Sequence, residues 1–167
     1  MKESHKIIPA SWGDPMPKAL ILYYSTTGNT EKMARAVAEG LRAHGDISVD
    51  IKYYVSADDL AAYDAIIIGA PTYNHSMPAE IKSILDEAAA KSIDLKGKVG
   101  AAFGSYGWSG EAPDLALDIM ERKLRMHVIK SPIKIRGSPD QYGLEKCREL
   151  GKRVAEEIKR LKGQASP

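Results

Sequence analysis

Residues 18–30 read KALILYYSTTGNT, and residues 65–78 read AIIIGAPTYNHSMP. Both stretches open on an unbroken apolar run, too short for a helix and closed by turn-forming residues. A strand covered on one face alternates apolar and polar residues, whereas a strand covered on both faces does not. Residues 19–24 and 65–70 therefore predict two fully covered strands. Behind the first, Met33, Val37 and Leu41 recur every fourth residue and the pattern closes near Gly45, which predicts a helix. Pro78 opens a second helix, with Ile81, Ile84 and Leu85 on one side.

The same alternation extends in both directions. ISVDIKYY at 47–54 puts Ile47, Val49 and Ile51 on one side and Ser48, Asp50 and Lys52 on the other, as a half-exposed edge strand does. KVGAAFGS at 98–105 predicts a fourth strand, and 110–124 a helix with Leu115, Ile119 and Met120 inward. HVIKSPIKI at 127–135 is a fifth strand interrupted by Pro132, which suits an edge. A last helix over 140–162 carries Leu144, Cys147, Leu150, Val154, Ile158 and Leu161 at helical spacing. Five strand–helix alternations with connections long enough for crossovers predict an α/β fold, a doubly wound parallel sheet with helices on both faces. Residues 18–162 form that domain, between an N-terminal tail or linker at 1–17, with Trp12 as its one large docking residue, and a C-terminal tail at 163–167.

Composition removes several classes of function. The 167 residues carry 24 basic and 22 acidic side chains, a net charge of +2 that offers neither nucleic acid nor an anionic membrane a concentrated basic surface. A single cysteine excludes an intramolecular disulfide. No apolar run reaches membrane-spanning or signal-peptide length, so a cytoplasmic location is expected. No metal site and no catalytic triad is expected.

In such a fold ligands gather at the carboxyl ends of the strands. Three loops there are unusual. Ser25, Thr26, Thr27, Gly28, Asn29 and Thr30 place four hydroxyls and a glycine where a helix begins, a setting for a phosphate held by N–H and O–H donors; the competing reading is an elaborate helix cap. The ATP-type loop needs a lysine where Asn29 stands, and the dinucleotide loop needs three spaced glycines. Pro71, Thr72, Tyr73 and Asn74 open the second loop, 71–78, and Gly104, Ser105, Tyr106, Gly107 and Trp108 the third, 104–110. A phosphate loop beside two aromatic loops describes a pocket for a phosphorylated planar ring. His75 reads as an exposed loop residue with no evident partner, and Cys147 as a buried small hydrophobe.

STTGNT, GAPTYNHSMP and FGSYGWSGEAP, in that order, closely resemble the flavodoxin family, and most closely the flavin domain of the flavodiiron (A-type) flavoproteins. The resemblance implies strand order 2-1-3-4-5 and a non-covalent FMN. Ser25, Thr26, Thr27, Asn29 and Thr30, with the amide of Gly28, would hold its phosphate. Tyr73 and Trp108 would cover the two ring faces. Thr72, Asn74, Gly104, Ser105 and Gly107 would supply polar contacts, and Pro71 and Tyr106 complete the candidate set. Asn74 stands where many flavodoxins have a glycine whose peptide flips on flavin reduction. The histidines of this chain do not provide the di-iron centre of the flavodiiron proteins. The implied function is electron transfer between redox protein partners, as a monomer or homodimer. An FMN-dependent reductase taking hydride from a reduced nicotinamide or deazaflavin is one alternative, and a flavin-free interaction module another.

Overall fold

A computed structural model describes residues 16–165; the expectations for Trp12 and the rest of the first fifteen residues lie outside them. β1 (Lys18–Tyr23) leads into α1 (Asn29–Ala43), then β2 (Ser48–Lys52), β3 (Ala65–Gly69) and α2 (Ala79–Ala90). β4 (Val99–Tyr106), α3 (Ala112–Asp118), β5 (His127–Val128), β6 (Ile133–Arg136) and α4 (Gln141–Ala165) complete the chain. The sheet is parallel throughout, in the order β2-β1-β3-β4-β5, with β6 also paired to β4. This is the flavodoxin-like doubly wound arrangement, with its order reversal between β1 and β3.

The covered strands behave as their composition requires. Leu20, Leu22, Ile66 and Ile68 point into one apolar layer, with α2 and α3. Ile21, Ile67, Ala101 and Phe103 point into the other, with α1 and α4. Alternate residues of one strand thus enter opposite layers, and both must be apolar. β2 has only half-buried or exposed residues, as an edge strand should.

Three details differ from the sequence reading. Leu115 is exposed rather than inward; Ala112, Ala116 and Leu117 make the buried face of α3, and Ile119 and Met120 follow it inward. The helix keeps regular spacing here: Ala112, Pro113, Ala116, Leu117 and Met120 form one stripe at about 100° per residue, and Leu115 falls on its far side; a π-helical turn over Ile119–Lys123 follows. The interruption expected at Pro132 is present: the fifth strand is two pieces, β5 and β6, separated by a break in which Ser131 takes φ 66°. Helix α4 continues to Ala165, into the segment expected to be tail. A short 3₁₀ turn over Ala57–Ala62, capped by Ser56 and Asp59, carries no apolar periodicity by which the sequence would show it.

Candidate functional site

The first loop is built on an unusual helix start. Gly28 precedes α1 with φ 89°, and no side chain caps the helix. A residue with a Cβ is strained there, which accounts for glycine among the hydroxyls. The hydroxyls are therefore not an elaborate cap for the helix. Ser25 Oγ accepts from the Gly28 N–H at 3.0 Å and shapes the turn. Thr30 is buried, and its hydroxyl pairs with that of Ser105 at 2.8 Å. Thr26 Oγ1 lies 2.8 Å from the Tyr73 hydroxyl. Thr27 is exposed, and among the described residues its hydroxyl has no hydrogen-bond partner. What remains open at the helix start is a set of first-turn N–H groups with the Thr27 hydroxyl beside them, a setting that fits a phosphate group.

Backbone bonds that continue beyond the strands bring the three loops side by side. Tyr24 N–H donates to Gly69 O at 3.0 Å, Ala70 N–H to Phe103 O at 2.9 Å, and Thr72 N–H to Ser105 O at 3.2 Å. Thr72 also accepts the Ala112 N–H on Oγ1 at 2.8 Å, which ties the second loop to the start of α3. Gly104 is needed for this closeness, since a Cβ there would collide with the Ala70 carbonyl. Its smallness serves the β3–β4 contact rather than a ligand, whereas Gly107 stands in open space.

The second loop closes as a two-residue hairpin. Tyr73 N–H donates to Ser76 O at 2.9 Å and Ser76 N–H to Tyr73 O at 3.0 Å. Asn74 and His75 take φ 51° and 62°, and positive φ at both central residues marks a type I′ turn. Asparagine suits its position; histidine at the next is less common. Tyr73 packs edge-on against Tyr24, with centroids 6.3 Å apart.

Trp108 is 84% exposed, and its ring contact is with His75 at 5.7 Å between centroids. Arg136 on β6 donates to the carbonyl of the adjacent Gly107 at 3.2 Å, so a cation stands beside the third loop. His75 is exposed, but it is not without a partner. Its Nδ1 lies 2.8 Å from Glu111 Oε2 and 3.0 Å from Ser109 Oγ. Hydrogen bonds from Ser109 and then His75 hold the Glu111 carboxyl down at about 2. Glu111 had no signal in the sequence, because a lone glutamate before a helix is ordinary helix-start composition.

The opposite end of the sheet is less suited to a ligand. A depression of about 340 Å³ there is lined by Asp64, Lys96, Lys98 and Ile158, but the Lys98 ammonium is already bonded to the carbonyls of Ala61 and Tyr63. Cys147 is buried in the α4 interface, and burial pushes its thiol up to about 12. Among the described residues no three His, Cys, Asp or Glu side chains gather as a metal site, and no helix is long and apolar enough to cross a membrane.

Comparison with known proteins places these loops in a family context. The flavodoxin family profile matches residues 21–151. The type A flavoprotein of Rhodobacter capsulatus is 33% identical over 155 residues, covering 89% of this chain and 34% of that protein. An NAD(P)H dehydrogenase (quinone) of Acidovorax ebreus is 42% identical over 115 residues, covering 54% of this chain and 56% of that protein. Among solved structures, a flavodoxin from the Archaea superposes with a TM-score of 0.77 at 39% identity, covering 85% of this chain and 99% of that one. The chain spans 34%, 26% and 25% of the length of three type A and diflavin flavoproteins that it matches.

Proposed function

We propose that this chain, which belongs to the flavodoxin family and is closely related to the flavin domain of the type A flavoproteins, binds one FMN at the carboxyl edge of its sheet and carries electrons between redox proteins. FMN supplies the one- and two-electron redox chemistry. The protein's part is to bind it, orient the ring and limit water around it.

One observation carries the reading: α1 starts on a left-handed glycine with no side-chain cap while hydroxyls crowd its first turn. An anion at that point gains from N–H donors, hydroxyls and the helix dipole together, with no lysine or arginine in the loop. Thr27 and Asn29 reach a phosphate without breaking another bond, and Ser25 shapes the turn that presents Gly28. Tyr73 and Trp108, on adjoining loops, supply aromatic surface for the ring. The main chain of the Tyr73–Ser76 hairpin and of Gly104 to Gly107 supplies the polar contacts.

Calorimetric titration tests the assignment. FMN binds at one per chain, and riboflavin, which lacks the phosphate, binds much more weakly. Thr27→Ala weakens FMN by about tenfold to a hundredfold, the range of a lost bond to a charged group, and leaves riboflavin nearly untouched. Equal affinity for the two flavins removes the phosphate assignment. A second reading, a reductase accepting hydride from a nicotinamide, is favoured by the exposure of Trp108: that face of the site is not sealed by packing. Steady turnover of NADH or NADPH by the purified, FMN-loaded chain would move the assignment to that class.

A further inference from the structure

We propose that Glu111 and His75 form a positioning dyad that holds the imidazole as its Nδ1–H tautomer, ties the two aromatic loops together and gives Trp108 a fixed wall to lie against. The hydrogen-bond chemistry requires the tautomer. An ionised carboxylate offers only acceptors, so the Nδ1 atom 2.8 Å from Glu111 Oε2 must donate. Ser109, 3.0 Å from the same nitrogen, then cannot donate to it and turns its hydrogen to the Glu111 carboxylate. Nε2 is left without a hydrogen-bond partner among the described residues.

The dyad also has mechanical consequences. His75 and Glu111 are 36 residues apart, on the second loop and at the start of α3. The Thr72–Ala112 bond ties the same two segments deeper in the fold, and the dyad extends that seam to the rim. Trp108 has no such packing and is 84% exposed, with the His75 ring as its aromatic neighbour. Where the imidazole is pinned, the indole has one side to rest on; where it is free, that side moves with it. A carboxylate that orients an imidazole by its Nδ1–H is a general device for fixing ring direction. That the wall serves the flavin rests on the FMN reading above; the tautomer and the clasp do not.

The test begins on the flavin-free chain. Nitrogen-15 NMR on the alkaline side of the imidazole titration, with His75→Gln to assign the signal, reads which nitrogen carries the proton. The wild type shows Nδ1–H, and Glu111→Ala moves the proton to Nε2, the form that Ser109 then favours by donating to Nδ1. Time-resolved anisotropy of Trp108, in a Trp12→Phe background so that one tryptophan reports, shows greater local motion in Glu111→Ala and in His75→Gln than in the parent. Circular dichroism confirms that each variant is folded, and Glu111→Gln replaces Glu111→Ala should the latter fail to fold. An Nε2–H signal in the wild type, or equal Trp108 motion in all three proteins, overturns the dyad. FMN titration then reads the last step: both variants weaken FMN by about threefold to tenfold, the affinity range of one aromatic contact. Equal FMN affinity in parent and variants overturns the link to the flavin. A parent chain that binds no FMN overturns the functional reading instead, and the NMR result still decides the dyad.

Discussion

Thr30 and Ser105, 75 residues apart in sequence, share a hydrogen bond of 2.8 Å between their hydroxyls, and both are buried. The pair joins the first turn of α1 to the end of β4, so the hydroxyl loop and the third loop are held in one geometry before any ligand arrives. Preorganisation of that kind reduces what a ligand must order on binding.

Removing one hydroxyl leaves the other buried and unpaired, at about 1–3 kcal/mol. Thr30→Val keeps the shape of the side chain and is expected to lower the melting temperature of the flavin-free protein by about 2–4 °C per kcal/mol lost. Thr30→Val with Ser105→Ala should recover part of that loss, since neither hydroxyl is then left unpaired, although the Ser105 N–H still loses its long contact with Thr30 Oγ1 at 3.5 Å. Thermal melts of the four proteins of this cycle check it. Additive losses would mean that the two hydroxyls act separately.

Trp108 behaves as a rim residue. Trp108→Ala should leave the melting temperature of the flavin-free protein almost unchanged, because a side chain 84% exposed contributes little to the core. It should weaken FMN by at least the roughly 0.5–1.5 kcal/mol of an aromatic contact and raise flavin fluorescence as ring-to-ring quenching is lost. A large fall in stability with unchanged FMN affinity would assign Trp108 to structure instead.

The hairpin at Asn74 sets a barrier to peptide rotation. Turning the peptide between Asn74 and His75 converts a type I′ turn to type II′, which relieves His75 of its positive φ. Asn74, however, must then enter a region occupied almost only by glycine. In the flavodoxin pattern this rotation stabilises the reduced flavin. Asn74→Gly should therefore raise the first one-electron potential, by about 40 mV for each kcal/mol of strain removed, and leave the second nearly unmoved. Spectroelectrochemistry of both proteins at one pH measures the two couples. An unmoved first couple would show that the loop does not rotate.

Acid should weaken the last turns of α4 and their tie to β5 through His127. The Arg160 guanidinium, and after it His127, hold the Glu157 carboxyl down at about 2. A carboxyl whose folded pKa lies below its unfolded value stabilises the fold above that unfolded value, about 4.3, and loses the contribution as pH falls toward 2. Arg160 is half exposed, so screening limits the gain to at most about 1 kcal/mol. Glu157→Gln should melt slightly below the wild type at neutral pH and coincide with it near pH 2, with a smaller gap in high salt.

The architecture follows from local sequence because covered parallel strands and amphipathic helices write their burial into residue order. Ala19 to Tyr23 and Ala65 to Gly69 are apolar on both faces because both faces are covered. Pro132 likewise announced a break in the last strand. The three loops at the carboxyl edge were legible as composition: hydroxyls with one glycine, prolines around a tyrosine, glycines around a tryptophan. What the tertiary structure decided was which of those groups touch. Thr30 is committed to Ser105, Gly104 to the passage of Ala70, and His75 to Glu111. Leu115 looks inward from its own neighbours and stands outside because the stripe that meets the sheet is Ala112, Ala116 and Met120, a choice made by packing. Periodicity reports how each segment meets the core, one element at a time. Contacts between residues far apart in sequence depend on strand register and on the order reversal between β1 and β3, and neither leaves a repeating mark along the chain.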